Sequence, residues 1–457
     1  MNYPFVTPPR PYQLRALRFL LRNRGGGLQV PMRWGKTRVA IDFANCLQHL
    51  EGIKRVLVVC PISVLGVWPD QIHKHTPKGF GLEWLTVNYE STYDRDYHGR
   101  SWTPVPAAEL LDYDADLLIV DEAHNLGNPQ AVSSRMVYEL SRRARFRLVM
   151  TGTMFHRKPF YVFGQAKLYD PSVFGTSFTA FKRMIAVFGG YGGYEVLRYQ
   201  NLDWMMDRIE PWCWIEEDVP PNQPPVINEI RFDLTGQGLM NYVAMDTDSI
   251  LQVGKDKVVS PIVLSRHLRC QQIAGGWIRT EDGRYVRVGQ DLLRTGLDRI
   301  REYAEQDIRK VVVGCRFRPE MNDVARAAER AGFVPVLHHG GIRKETRPAL
   351  INHWRESRKP SMLIAQMQTL KEGVDLSAAD TMLLWSLSES YVTHEQFTSR
   401  IKLYDDDRTL MYDYLIPEGT RTEVTYEALG EKQDVARYMA TDPQRVERIT
   451  SKLRETP

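Results

Sequence analysis

The sequence predicts an α/β chain built on two parallel sheets, and three observations predict it. Short Val-, Leu- and Ile-rich runs alternate with helix-like stretches along the 457 residues, the pattern of strands buried on both faces by crossover helices. A proline-rich stretch, residues 218–225, interrupts that rhythm near the middle. Before it stand two motifs, Gly35-Lys36-Thr37 and Asp121-Glu122-Ala123-His124, that together describe a nucleoside triphosphate site.

In chain order, residues 12–24 carry Leu14, Leu17, Phe19, Leu20 and Leu21 as a helical stripe, which Gly25-Gly26-Gly27 ends. A strand and the phosphate loop follow. Residues 36–50, apolar at Val39, Ala40, Phe43, Ala44 and Leu47, form the helix whose N-terminus faces the phosphates. Strands are expected at 55–60, 84–87, 117–120 and 146–150, with helices between them. The aromatic, Gly-rich stretch 188–194 reads as a packed surface loop, with stacking on nucleic acid as the alternative. After the proline-rich linker, strands recur at 310–315, 334–337, 361–365 and 381–385, and residues 423–438 read as one amphipathic helix packed on the core.

Each motif has a chemical reason. Backbone amides and the Lys36 ammonium cradle β- and γ-phosphates, and the Thr37 hydroxyl reaches magnesium. The apolar run Leu117 to Val120 delivers Asp121 to the metal shell and Glu122 to a water placed for in-line attack on a γ-phosphate. A short Gly-Lys-Thr is common, and Val30 stands where the full pattern has its first glycine; the two motifs in this order, each after an apolar run, carry the inference.

Composition sets the remaining bounds. A charged fraction of 25% and a hydrophobic fraction of 43% are ordinary globular values, and the length suggests two or three domains of about 150 residues. No apolar run approaches the roughly 20 residues that span a bilayer, and residues 1–10 lack a signal-peptide core. The expected location is the cytoplasm of a prokaryotic or virus-infected cell, away from membranes. The five cysteines have no C-x-x-C spacing, which disfavours a structural metal or a disulfide framework, and Cys60 and Cys315 fall in strand cores. A net charge of +4 permits nucleic-acid binding through a local groove without demanding it.

This ordered set resembles the superfamily 2 helicases and translocases, most closely the Swi/Snf-like branch in a compact form of the kind bacteria and their viruses encode, over residues 10–438. The resemblance implies two tandem RecA-like domains, at 1–170 and 227–440, joined by a helical, aromatic extension and linker at 171–226 and followed by a tail at 441–457. The ATP site would lie in the cleft between the domains. Gln13 would read the adenine, beside a nucleotide loop made of Arg33, Trp34, Gly35, Lys36 and Thr37. Pro61 and Ser63, with Trp68 after them, look like motif Ia, and Asn88 and Tyr89 are similar to motif Ib; both would touch nucleic acid. His124, Thr151, Gly152 and Thr153 would couple the γ-phosphate state to the second domain.

In the second half, Leu268 to Ile273 resembles the helix before the second core sheet, and Gly314-Cys315-Arg316-Phe317 is like motif IV, with Arg316 and Phe317 on the nucleic acid. His338-His339-Gly340-Gly341, with Arg347 and Trp354, resembles the next loop and helix; a metal on the histidine pair lacks a third ligand. Thr369 would take a nucleic-acid phosphate, Gly373 and Asp375 the ATP ribose and domain interface, and Gln396 the nucleotide, while Arg400 would act as an arginine finger. Two positions depart from the family pattern. Arg33 replaces a loop glycine, and Leu403 replaces a second motif VI arginine, so Arg400 or Lys402 does that work or hydrolysis is weak.

The resemblance implies an ATP- and magnesium-dependent motor on single-stranded, duplex or branched DNA, in replication, recombination or repair, with RNA less expected. Duplex translocation without unwinding is common in the branch. The rival is an ATP-gated clamp that recruits a nuclease or replication partner. A kinase or small-molecule NTPase has no use for residues 366–376 and 396–400, which are like motifs V and VI.

Overall fold

The computed structural model describes residues 3–31, 33–62, 64–98, 101–152, 159–190, 192, 195–216, 223–253, 256–259, 263–370, 374–403 and 407–453. The chain divides into two compact units, Met1–Val219 and Pro220–Pro457. Met32, Ser63, Thr153 and Gly373, most of the linker and part of the Gly-rich stretch lie outside the described residues.

The strands of the first unit are β1 (Gly25–Gln29), β2 (Arg55–Cys60), β3 (Glu83–Asn88), β4 (Tyr93–His98), β5 (Ser101–Pro106), β6 (Leu117–Val120), β7 (Phe146–Thr151), β8 (Ala186–Gly189), β9 (Glu195–Tyr199) and β10 (Cys213–Ile215). Six of them form a parallel sheet in the order β10-β1-β7-β6-β2-β3. β4–β5 and β8–β9 are antiparallel hairpins. The glycines expected to end the first helix are themselves strand β1. A Cβ at Gly25 would lie 2.3 Å from the Arg147 carbonyl oxygen and one at Gly27 2.4 Å from Cys213 Sγ, so only glycine lets the neighbouring strands approach this closely.

The second unit contains β11 (Val226–Phe232), β12 (Ile250–Val253), β13 (Asp256–Val259), β14 (Trp277–Arg279), β15 (Tyr285–Arg287), β16 (Lys310–Cys315), β17 (Val334–His338), β18 (Ser361–Gln366), β19 (Thr381–Leu384) and β20 (Met411–Pro417). Its six-stranded parallel sheet runs β11-β20-β19-β16-β18-β17. Two separate apolar clusters cover this sheet, one built on Val312, Leu363 and Leu384 and the other on Val311, Val313 and Leu383. Alternate residues of one strand therefore serve opposite faces, as a doubly covered strand must. The stretch expected as a single helix at 423–438 is two, Arg421–Gly430 and Val435–Thr441, because a turn at residues 431–434 breaks it. All five cysteines are buried and free.

Candidate functional site

The parallel register brings the chemistry of the first unit to one sheet edge. Val59 pairs with Val120 and Cys60 with Asn88, so the segments leaving β2, β3 and β6 emerge level with one another. This carboxyl edge is where α/β sheets place their ligands.

The loop after β1 leads into the helix Lys36–Glu51, whose first turn has neither a side-chain cap nor an acidic residue. Its N–H groups therefore remain open to an anion. Gly35, at φ 94, turns the chain into the helix. Arg33 sits at φ 67, so the backbone keeps the left-handed turn that a glycine would adopt without strain. The Lys36 ammonium donates to the carbonyls of Val30 and Pro31, each at 3.3 Å, within the same loop. Gln13 is 6% exposed; its amide donates to the Trp34 carbonyl at 3.1 Å, and its Oε1 accepts from Arg10 N at 3.0 Å. In this geometry Gln13 braces the phosphate loop. Trp34 is fully buried against the Tyr12 ring, 4.8 Å away.

Asp121 leaves the all-buried strand β6 at 5% exposure. Its Oδ2 accepts from Trp68 Nε1 at 3.3 Å and its Oδ1 from Glu122 N at 3.0 Å, while its own carbonyl accepts from the Tyr89 hydroxyl at 2.5 Å. Glu122, at φ 51, turns its carboxylate to His124 Nδ1 at 3.2 Å and to Gly152 N at 3.5 Å. His124 Nδ1 also lies 3.3 Å from the buried Thr151 hydroxyl. A short relay thus runs from Glu122 through His124 to the end of β7; Thr153 lies outside the described residues.

The two carboxyls are driven apart. Burial, then the charge of Glu122, raises the Asp121 carboxyl, with Lys36 opposing. Burial also acts against Glu122, but the hydrogen bond from His124 and the Lys36 ammonium outweigh it and keep that carboxyl ionised. A buried, raised aspartate beside open helix amides and a lysine is a donor set that fits a divalent cation carrying phosphates. Thr37, half-buried in the first turn of the same helix, completes it.

Trp68 and Tyr89 are where sequence reading and geometry part. Tyr89 is expected among the nucleic-acid contacts and Trp68 just after motif Ia, yet they are 7% and 1% exposed and their polar atoms hold Asp121. A side chain that buried is not presented to a strand. Asn88 accepts from Ser91 N at 2.8 Å and so caps the turn that positions Tyr89. Pro61 is half-buried, and Ser63 lies outside the described residues.

In the second unit, Arg316 is built into a polar cluster: its backbone N–H donates to Ser386 Oγ at 2.7 Å, and its guanidinium meets Glu389 Oε1 at 3.0 Å and hydrogen-bonds Gln271. Phe317, 9% exposed, precedes the helix Arg318–Arg330, and its N–H donates to Glu320 at 3.1 Å. Thr369 donates to the Gln366 carbonyl at 2.7 Å and lies 3.0 Å from His338 Nδ1. Asp375 Oδ1 accepts from Ser377 N at 3.0 Å and Oγ at 2.7 Å. Gln396 and Arg400 are 4% and 7% exposed, and the Arg400 carbonyl accepts from Leu376 N at 3.2 Å, so the Asp375 and Arg400 segments are tied together. Arg408, which no motif flagged, strengthens that tie by donating to the carbonyls of Ser377 at 2.9 Å and Ile401 at 3.2 Å. Lys402 is exposed, and Leu403 is 44% exposed where the family pattern has an arginine.

Comparison with known proteins adds two domain matches: an SNF2-related domain over residues 12–232 and a helicase conserved C-terminal domain over residues 294–402. A protein of a phage of an Acyrthosiphon pisum secondary endosymbiont, described as putative protein p41, is 20% identical over 93% of this chain and 96% of its own length. The bovine DNA annealing helicase and endonuclease ZRANB3 is 22% identical over 93% of this chain. The chain spans only 40% of that relative, and under half the length of most curated relatives it matches. Among solved structures, the Sulfolobus solfataricus SWI2/SNF2 ATPase core in complex with dsDNA is 20% identical with a TM-score of 0.44, covering 99% of this chain and 98% of that one. No described helix is long and apolar enough to cross a membrane.

Proposed function

The chain belongs to the SNF2-related, DNA-dependent ATPases of superfamily 2, and on that premise we propose that it couples ATP hydrolysis to movement along duplex or branched DNA in replication, recombination or repair.

 The observation that carries this reading is the juxtaposition of Lys36, Asp121 and the Glu122-His124-Thr151 relay at one sheet edge. Thr37 and Asp121 would hold a magnesium ion, whose charge offsets that of the phosphates. Glu122, kept ionised, accepts a hydrogen bond from the attacking water. As the water oxygen bonds to the γ-phosphorus, the bond to the bridging oxygen breaks, ADP leaves with the electron pair, and the water proton passes to Glu122. Lys36 and Arg400 stabilise the charge that develops on the transferred group. His124 reports the occupancy of the site to β7 through Thr151. Binding to DNA is expected mainly through phosphates, with little sequence preference and a steep loss of affinity in salt.

The test is ATP turnover by the purified protein with no nucleic acid, single-stranded DNA, duplex DNA, forked DNA and RNA, with Lys36→Ala and Glu122→Gln as controls. Strong stimulation by one DNA form, lost in both variants, supports the motor and identifies its track. The second reading is an ATP-gated clamp that recruits a nuclease or replication protein, and the exposed Leu403 in place of an arginine favours it. ATP binding without turnover on any of these nucleic acids would select the clamp.

A further inference from the structure

We propose that the groove between the β14–β15 hairpin and the helix Arg318–Arg330 is a subsite for an unpaired DNA strand, one that stacks bases on Trp277 and Tyr285 and neutralises a phosphate with Arg318. The inference deepens the DNA reading above and rests on it.

The register of the hairpin sets its chemistry. Trp277 pairs with Arg287 and Arg279 with Tyr285, so these four side chains share one face, while Ile278 and Val286 turn to the core on the other. One face of a short hairpin thus interleaves two aromatic rings with two guanidiniums. Opposite it, Arg318, Asn322 and Arg326 recur at four-residue spacing along one helix face. The open groove between them measures about 640 Å³, a volume suited to a base with its sugar and phosphate.

The groove is held open by a buried anchor. Asp323, 4% exposed, accepts from Trp277 Nε1 at 2.8 Å, from Arg287 at 2.6 Å and from Arg326 at 2.8 Å, and the Arg287 guanidinium lies 4.2 Å from the Trp277 ring centroid. That carboxylate is therefore neutralised within the wall, and Glu329 is the acidic residue left on the rim. Tyr285 is 40% exposed. Arg318 is exposed and has no acidic partner among the described residues. Its guanidinium also lies against Gly341, where an added Cβ would meet Nη2 at 2.8 Å, so the groove opens beside the loop that carries His339. Flat rings beside the exposed Arg318 guanidinium suit nucleobases and phosphates better than they suit an acidic peptide, which offers nothing to stack.

The test compares a blunt duplex with the same duplex carrying a single-stranded tail, using fluorescence anisotropy without nucleotide. The wild-type protein is expected to bind the tailed DNA about tenfold more tightly, and Tyr285→Ala to remove that preference, while Tyr285→Phe, which keeps the ring, preserves it. Arg318→Ala should lower the slope of log affinity against log salt by about one on tailed DNA. Equal affinity of the wild type for tailed and blunt duplex, or a tail preference that survives Tyr285→Ala, would overturn the subsite. So would polyglutamate competing for the groove as well as the tail does. Failure of the motor reading looks different: the tail preference persists and depends on Tyr285, but no DNA stimulates ATP turnover.

Discussion

The two units carry the same kind of six-stranded parallel sheet and differ in which residues turn the chain as it leaves the strands. In the first, the segments leaving β1 and β6 hold positive φ at Arg33, Gly35 and Glu122, at 67, 94 and 51. In the second, the positive φ values just after sheet strands fall on glycines, Gly236 after β11 at 49 and Gly419 after β20 at 68, and the described non-glycine residues at positive φ, Ser249, Asp307 and Lys432, follow no sheet strand. Buried charge differs in the same sense. Asp413, fully buried on β20, is met by Arg299 at 2.6 Å, by Asn228 at 2.6 Å and by the Tyr303 hydroxyl, and Arg421 meets Asp246 at 2.8 Å. Asp121 receives an indole and a backbone N–H instead of a cation at bonding distance. Strained non-glycine backbone at strand ends thus lies in the first unit, beside the proposed phosphate site, while in the second unit buried Glu320, which receives the Ser386 hydroxyl and the Phe317 N–H, is an exception to the paired pattern.

The largest expected effect breaks the comparison from the second unit. Arg400→Ala should lower ATP turnover by roughly 10³-fold or more while ATP binding, measured by fluorescent-nucleotide titration, is retained. Turnover at the wild-type rate would remove Arg400 from the reaction. From the first unit, Glu122→Gln should slow turnover by about 10²- to 10⁴-fold and keep nucleotide binding, since the amide still fills the site but takes no proton.

Asp413→Ala tests the scaffold side. It leaves Tyr303 buried without its acceptor and Arg299 with the half-exposed Glu302 as its remaining carboxylate, and should cost about 3 kcal/mol of stability. Urea unfolding followed alongside nucleotide binding should show the second unit failing first, and a variant as stable as the wild type would contradict the view that this carboxylate closes the sheet. Acid should discriminate in the same direction. His267 is pushed by burial to about 3, and His338 and His394 each to about 4, against His75 at about 4 among the described residues of the first unit. A histidine whose folded pKa is depressed loses nothing above 6.5 and loses stability as pH falls below it, by roughly 2 kcal/mol per residue at pH 5. Thermal scans from pH 7 to pH 5 should therefore lower the transition of the second unit more than that of the first. The smallest effect is Arg33→Gly, which relieves the left-handed backbone and should stabilise the first unit by about 0.5–1 kcal/mol, with the phosphate loop still binding ATP. A destabilised variant would mean that the Arg33 side chain matters more than its φ.

What the sequence disclosed follows from the same contrast. Central strands such as Leu117–Val120 and Lys310–Cys315 are legible because burial on both faces makes them continuous apolar runs. Edge and near-edge strands are less so. β11 alternates polar and apolar residues, β20 carries a buried aspartate, and β1 is mostly glycine, so none shows the apolar signature. Lys36, Asp121 and Glu122 were legible because their chemistry requires those residue types at a strand end. The support of Asp121 by Trp68 and Tyr89 was not, since it depends on a register that aligns the ends of β2, β3 and β6 across sixty residues of chain. The four-residue turn that splits the C-terminal helix has no proline to announce it; Lys432 at φ 57 makes that turn.

The most direct test of ATP-driven movement is displacement of a third strand from a triplex placed at one end of a duplex. Wild-type protein with ATP should release the third strand, and a non-hydrolysable ATP analogue or Glu122→Gln should leave it in place while the protein stays bound to the duplex. Release without hydrolysis, or full DNA-stimulated turnover with the triplex intact, would contradict a motor that moves along DNA.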